Sequence, residues 1–114
     1  MGMTPEGKIK AKLDKMLKSF SKADLWYFPP QAGPFGSAGI PDRIICCRAA
    51  FIGVEAKADK TKEPTALQHK CMGDIIKAGG NCFLVYDDET IEELRHFLSD
   101  IILIDNGALQ HASS

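Results

Sequence analysis

Between Asp42 and Lys57 two short apolar runs, Arg43-Ile44-Ile45-Cys46-Cys47 and Phe51-Ile52-Gly53-Val54, are separated only by Arg48-Ala49-Ala50. Both runs are rich in β-branched or aromatic residues, a pattern that predicts two strands and a tight connection. An antiparallel hairpin centred between Ala49 and Ala50 sets Asp42 opposite Lys57 and Ile44 opposite Glu55. Opposed residues share a face and side chains alternate along a strand, so Asp42, Glu55 and Lys57 gather on one face at one end. Two carboxylates and an ammonium converging from apolar strands mark this end as the place for chemistry.

The segments on either side build a fold around the hairpin. Thr4 and Pro5 make an N-cap and a first helical position. The following Ile9, Leu13, Met16, Leu17 and Phe20 form one apolar stripe, with Lys8, Lys12, Lys15, Lys18 and Lys22 mostly on the other faces. Glu6 lies three residues before Ile9 and so continues the inward stripe, although a first-turn Glu also simply complements the helix dipole. Leu25-Trp26-Tyr27-Phe28 reads as a strand stopped by Pro29-Pro30, and residues 31 to 39 as an open Gly- and Ser-rich loop. That loop lacks the Gly-Lys-Ser/Thr ending of a Walker P-loop.

Beyond the hairpin, Ala58 to Glu63 is a polar, basic connection. Pro64-Thr65 starts a second helix, with Leu67, Cys71, Ile75 and Ala78 as its buried stripe and Gly79-Gly80 as its end. Cys82 to Tyr86 is an apolar strand, which completes a βαβ unit and a parallel pair. Thr90-Ile91-Glu92-Glu93 reads as a capping box for a third helix with Leu94, Phe97 and Leu98 inward. Ile101 to Ile104 reads as a last strand, Asp105-Asn106-Gly107 as a turn, and residues 111 to 114 as a frayed tail. The expectation is one α/β domain over residues 1–114, a mixed four- to five-stranded sheet flanked by helices.

At 114 residues the chain has room for one modest core. No apolar run is long enough for a bilayer, and the N-terminal residues lack a signal-peptide apolar region. Met1-Gly2 resembles a myristoylation start, but the sixth position is Glu6 where that signal expects Ser or Thr. A soluble, cytoplasmic protein with no membrane partner is expected. Cys46, Cys47, Cys71 and Cys82 include no C-x-x-C and read as small buried thiols of a reducing compartment. Net charge is only −1, yet Lys and Arg outnumber acids eleven to six up to Lys62 and are outnumbered three to nine beyond it. The first half therefore carries a basic face, or a helix with a solvated lysine side.

The Asp42, Glu55 and Lys57 set suits a divalent cation and a phosphodiester. Mg²⁺ takes oxygen ligands and keeps waters and a substrate phosphate, so two protein carboxylates suffice. Lys57 can orient or deprotonate the attacking water, or stabilise charge developing on the phosphate. Glu-x-Lys by itself is common and equally describes a same-face pair beside solvent. Lys8, Lys60 and Lys62 can meet backbone phosphates or serve only as solvated charges. Trp26 and Tyr27 can stack on bases, although an aromatic strand is more often core. His69 and His96 have no partners at metal-ligand spacing.

Pro41-Asp42 followed by Glu55-Ala56-Lys57 resembles the PD-(D/E)XK nuclease superfamily, whose restriction-endonuclease-like core runs α-β-β-β-α-β. The finer likeness is to its VRR-NUC branch, carried by Gly39-Ile40-Pro41-Asp42, Val54-Glu55-Ala56-Lys57, Thr65-Ala66-Leu67-Gln68 and Ala78-Gly79-Gly80. It extends from about Glu6 to Tyr86. The resemblance implies a Mg²⁺- or Mn²⁺-dependent DNA endonuclease with Asp42, Glu55 and the Ala56 carbonyl as metal ligands and Lys57 as the catalytic lysine. It also implies that Gln68 completes the site and that Glu6 is the first-helix acid. Short stand-alone members are viral or bacterial homodimers acting on branched DNA such as Holliday junctions. A non-catalytic DNA-binding or assembly module on the same fold is the alternative.

Overall fold

The computed structural model describes residues 2–31 and 39–113, with side chains described as far as residue 107. The expected Gly- and Ser-rich loop thus lies, from 32 to 38, outside the described residues. The elements are α1 (Pro5–Lys18), β1 (Leu25–Phe28), β2 (Arg43–Cys47), β3 (Ala50–Ala56), α2 (Ala66–Lys77), β4 (Asn81–Val85) and α3 (Asp88–Ser113). The four strands form one sheet in the order β1-β2-β3-β4. β1, β2 and β3 pair antiparallel, and β4 joins β3 in parallel after the α2 crossover. This is the α-β-β-β-α-β core expected from the sequence, followed by a further helix.

The alternation of the strands sorts their side chains onto two faces. Ile45, Cys47, Ile52, Val54, Ala56 and Val85 point to α1 and α3, where they bury against Ile9, Leu13, Leu17, Ile91, Leu94 and Leu98. On the opposite face Gly53 meets Ile75 of α2, and the Cys82 thiol lies 3.6 Å from the Met72 carbonyl oxygen. The sheet is therefore sandwiched between α1 with α3 and α2 alone.

Helix α1 starts as its sequence dictates, with Thr4 Oγ1 accepting the Gly7 N–H at 3.0 Å. The Arg43 guanidinium grips Asp14 of this helix through Nε and Nη2 at 2.7 and 2.9 Å, while its Nη1 donates to the Asp42 carbonyl at 2.7 Å. A bidentate, half-buried pair of this kind fixes orientation as well as distance. It ties α1 to the first residue of β2.

The hairpin register differs from the expected one. Cys47 pairs with Ala50 and Arg43 with Val54, so the turn consists of Arg48 and Ala49. Both have positive φ, 48° and 72°. A two-residue hairpin turn of this hand requires that conformation, and Gly or Asn would normally announce it. Here the Arg48 side chain holds the turn from outside, with Asp24 at 2.7 Å and Asp105 at 3.1 Å. The partner of every β2 residue moves by two positions, which preserves faces. One step beyond Arg43 and Val54, Asp42 lies beside Glu55 rather than opposite Lys57.

Four further expectations are corrected. Residues 101 to 107 are neither strand nor turn, because α3 runs unbroken to Ser113, through the expected tail. Leu94, Leu98 and Ile101 continue one helical stripe, and a short apolar run alone does not distinguish strand from helix. Ile101 and Ile102 pack on the core, whereas Leu103 and Ile104 are exposed. The cap of α3 is Asp87, whose Oδ1 accepts the Thr90 N–H at 2.8 Å, so Thr90 is already inside the helix. On α2 no residue is fully buried: Cys71 and Ile75 are half-buried while Leu67 and Ala78 are exposed, since α2 covers its sheet face alone. The cysteines are free thiols, but Cys46 is exposed, as is its β1 neighbour Trp26, on the sheet area that α2 leaves uncovered.

Candidate active site

Five segments meet at the carboxyl end of β3. Asp42 precedes β2, Glu55 and Ala56 end β3, Lys57 follows them, Gln68 lies in the first turn of α2, and Glu6 in the first turn of α1. Two glycines make the meeting possible. A Cβ on Gly53 would come within 2.9 Å of Pro41 Cγ, so Pro41 packs flat on the sheet at this position and is itself fully buried. A Cβ on Gly39 would stand 2.5 Å from the Leu67 carbonyl oxygen, and its φ of +96° is a glycine conformation. The chain thus enters Asp42 pressed against the first turn of α2.

Asp42 Oδ2 accepts the Ala56 N–H at 2.8 Å, which pins the carboxylate across the hairpin. Glu55 is 2% exposed, and its Oε2 has no hydrogen-bond partner. Burial pushes the Glu55 carboxyl up to about 8, helped by the hydrogen bond to Asp42, by the Asp42 charge and by Glu6, while Lys57 pulls it down. Burial opposes charge on Asp42 too, but the hydrogen bonds from Glu55 and the Ala56 N–H and the Lys10 ammonium outweigh it. The Asp42 carboxyl is held below the usual range. Of the two acids, Glu55 is therefore the one that more readily holds a proton.

Lys57 is fixed at both ends. Its N–H donates to the Val85 carbonyl at 2.9 Å, and Nζ donates to Gln68 Oε1 at 2.9 Å. The same Oε1 accepts the Thr65 N–H at 2.8 Å, while Thr65 Oγ1 accepts the Gln68 N–H at 3.2 Å. This reciprocal cap starts α2 and leaves the Gln68 amide nitrogen unengaged among these contacts. Gln68 is therefore both cap and lysine holder.

Glu6 reaches the site indirectly. Its side chain is 43% exposed, and Lys10 Nζ stands between it and Asp42, 3.3 Å from Glu6 Oε2 and 3.4 Å from Asp42 Oδ1. Among the described residues no three His, Cys, Asp or Glu side chains surround a common metal position. Asp42 Oδ1 and the orphaned Glu55 Oε2 are oxygen donors of the kind that could hold a divalent cation. Lys8, Lys60 and Lys62 are exposed, the last two in the turn after Lys57, and His69 and His96 lie on helix surfaces. Lys10 and the Arg43–Asp14 clamp escaped the sequence reading. The Glu-x-x-x-Lys spacing of Glu6 and Lys10 was a visible i,i+4 signal for the first.

No family model and no curated protein matches the chain. A solved structure described as "VRR_NUC domain" superimposes with a TM-score of 0.70 at 22% sequence identity, covering 81% of this chain and 95% of that chain. The chain has the fold of a VRR_NUC domain.

Proposed function

We propose that residues 1–114 form a VRR-NUC-like nuclease domain that hydrolyses DNA phosphodiesters with the help of Mg²⁺ or Mn²⁺. The observation that carries this reading is Glu55, a buried carboxyl with an unpartnered oxygen beside a charged Asp42. An orphaned buried oxygen is costly to the fold, and a bound cation would resolve it. Held by Asp42, Glu55 and the Ala56 carbonyl, the metal would polarise a phosphoryl oxygen and make hydroxide available near neutral pH.

The chain supplies the rest. Asp42 is the more readily ionised of the two acids, and Glu55 would act as a ligand in its ionised form. Lys57 Nζ keeps two donors beyond the one that Gln68 accepts, and these meet the non-bridging oxygens where charge develops. Gln68 holds that ammonium in place and offers its amide nitrogen to the same phosphate or to the attacking water. Lys8, Lys60 and Lys62 bind the DNA backbone through charge alone.

The substrate we propose is branched DNA of the four-way-junction kind, cut by a homodimer, since paired cuts in a branched duplex require two sites related by a two-fold axis. Exposed Trp26, Phe28 and Phe51 on the sheet, and Leu103 and Ile104 on α3, supply apolar surface for such a dimer. The cytoplasm, bacterial or that of a virus's host, is where we place it. No helix among the described residues is long and apolar enough to cross a membrane.

The test incubates labelled linear, flap, splayed and four-way DNA with the protein in Mg²⁺, Mn²⁺ or EDTA, beside Asp42→Asn and Lys57→Ala. Metal-dependent cleavage lost in both variants supports the enzyme. Cleavage that survives both, or none with either metal, overturns it, and DNA binding without cleavage establishes the non-catalytic module instead.

A further inference from the structure

Lys10 is placed where a metal ligand set would be least expected to tolerate it. It sits one helical turn after Glu6, so both side chains leave α1 on the side that faces the start of β2. Its ammonium is within 3.4 Å of carboxylate oxygens from both Glu6 and Asp42, and its side chain is only 32% exposed. Burial works against that charge, but Asp42 and Glu6 outweigh it and hold the Lys10 pKa above the ordinary lysine value. The two oxygens of Asp42 are divided: Oδ2 accepts the Ala56 N–H and Oδ1 faces Lys10. The oxygen that Asp42 has to offer a cation is thus the one already facing a cation.

On the reading that the site takes a divalent metal, we infer that Lys10 is a resident counter-ion that the metal displaces from Asp42 Oδ1. It compensates the clustered acids of the metal-free protein and weakens metal affinity by the same contact. Two cations at contact distance repel, so the ammonium must swing away when the metal enters. Glu6, one turn back and more exposed, keeps it near the mouth of the site, where it would next meet an incoming phosphate. Binding of metal and release of Lys10 are then two sides of one equilibrium.

Titration calorimetry with Mn²⁺ and Mg²⁺ and no DNA tests this on the full chain, comparing the parent with Lys10→Gln, Lys10→Met, Lys10→Arg and Asp42→Asn. Removing the charge in K10Q and K10M is expected to tighten Mn²⁺ at least about fivefold, while K10R stays within about twofold. Melting without metal should drop for K10Q and K10M, and the rise in Tm on adding Mn²⁺ should grow. Either neutral variant suffices if the other does not fold. Affinity unchanged or weaker in a folded neutral variant overturns the role of Lys10 and leaves the metal reading intact. No binding to the parent, or equal binding to D42N, overturns the metal reading and the inference together.

Discussion

Asp42 reaches across the hairpin to take the backbone N–H of Ala56 at 2.8 Å, so the carboxylate just before β2 is bonded to the last residue of β3. The bond explains why the two acids sit side by side although 13 positions separate them in the sequence. It also divides the work of Asp42 between holding the strands and holding charge, and substitution can separate the two.

Asp42→Asn keeps an oxygen that can accept the Ala56 N–H but removes the charge. The fold should survive, with Tm within a few degrees of the parent, while metal binding and cleavage collapse. Loss of a hydrogen-bond partner behind a metal ligand already costs about 10–100-fold, so loss of the ligand charge itself should cost about a hundredfold or more. Calorimetry and cleavage rates on one preparation check both halves.

Glu55 makes the metal-free protein sensitive to pH. Burial in the fold pushes its carboxyl from the usual value, which it regains on unfolding, up to about 8. Between those values the folded state holds a proton that the unfolded state has lost, so stability falls as pH rises across that window. The stabilising contribution is fully present below the unfolded value and is gone above the folded one. In EDTA the parent should therefore melt at progressively lower temperature from about pH 5 to pH 8. Glu55→Gln, which cannot ionise, should flatten that profile.

Gln68 serves the start of α2 and the Lys57 ammonium with one oxygen, so Gln68→Ala should register in two measurements. Losing its half of the capping box should cost about 1 kcal/mol in denaturant unfolding. Losing the hold on Lys57 should lower the cleavage rate by about 10–100-fold with metal affinity little changed. Gln68→Glu keeps an acceptor for both donors and should restore most of the stability.

Much of the fold was visible in the order of the residues. Thr4-Pro5, the apolar stripe from Ile9 to Leu17, the strand at Leu25 and the parallel return at Cys82 all follow local rules, and the fold agrees with them. The exact partner of Asp42 did not, because Arg48 and Ala49 adopt a turn that their own side chains do not favour, and the stabilising partners, Asp24 and Asp105, are remote in sequence. For the same reason Ile101 to Ile104 was ambiguous: a short apolar run fits a strand or a helix until its neighbours show which face is buried. Lys10 was hidden among the lysines of an amphipathic helix, and only packing revealed that its side chain turns towards Asp42 rather than water.

Gly39 is the position where a small change should disturb the site most without touching its chemistry. Its φ of +96° is one that L side chains rarely adopt, and an added Cβ would meet the Leu67 carbonyl at 2.5 Å and Gln68 N at 3.0 Å. Backbone atoms of a capped helix turn cannot yield as the end of a flexible side chain would, so α2 or the approach to Asp42 must move. Gly39→Ala should cost about 1–3 kcal/mol for the strained backbone and shift Gln68 relative to Lys57. A displacement of about 1 Å at a catalytic group costs on the order of a hundredfold in rate. The variant should therefore remain folded at room temperature, yet cleave about a hundredfold more slowly, with metal affinity reduced because Asp42 follows the same segment. Unfolding curves, calorimetry and single-turnover cleavage together decide it: stability lost with activity intact would mean that the segment from Gly39 to Asp42 adapts, and that Gly39 serves the fold alone.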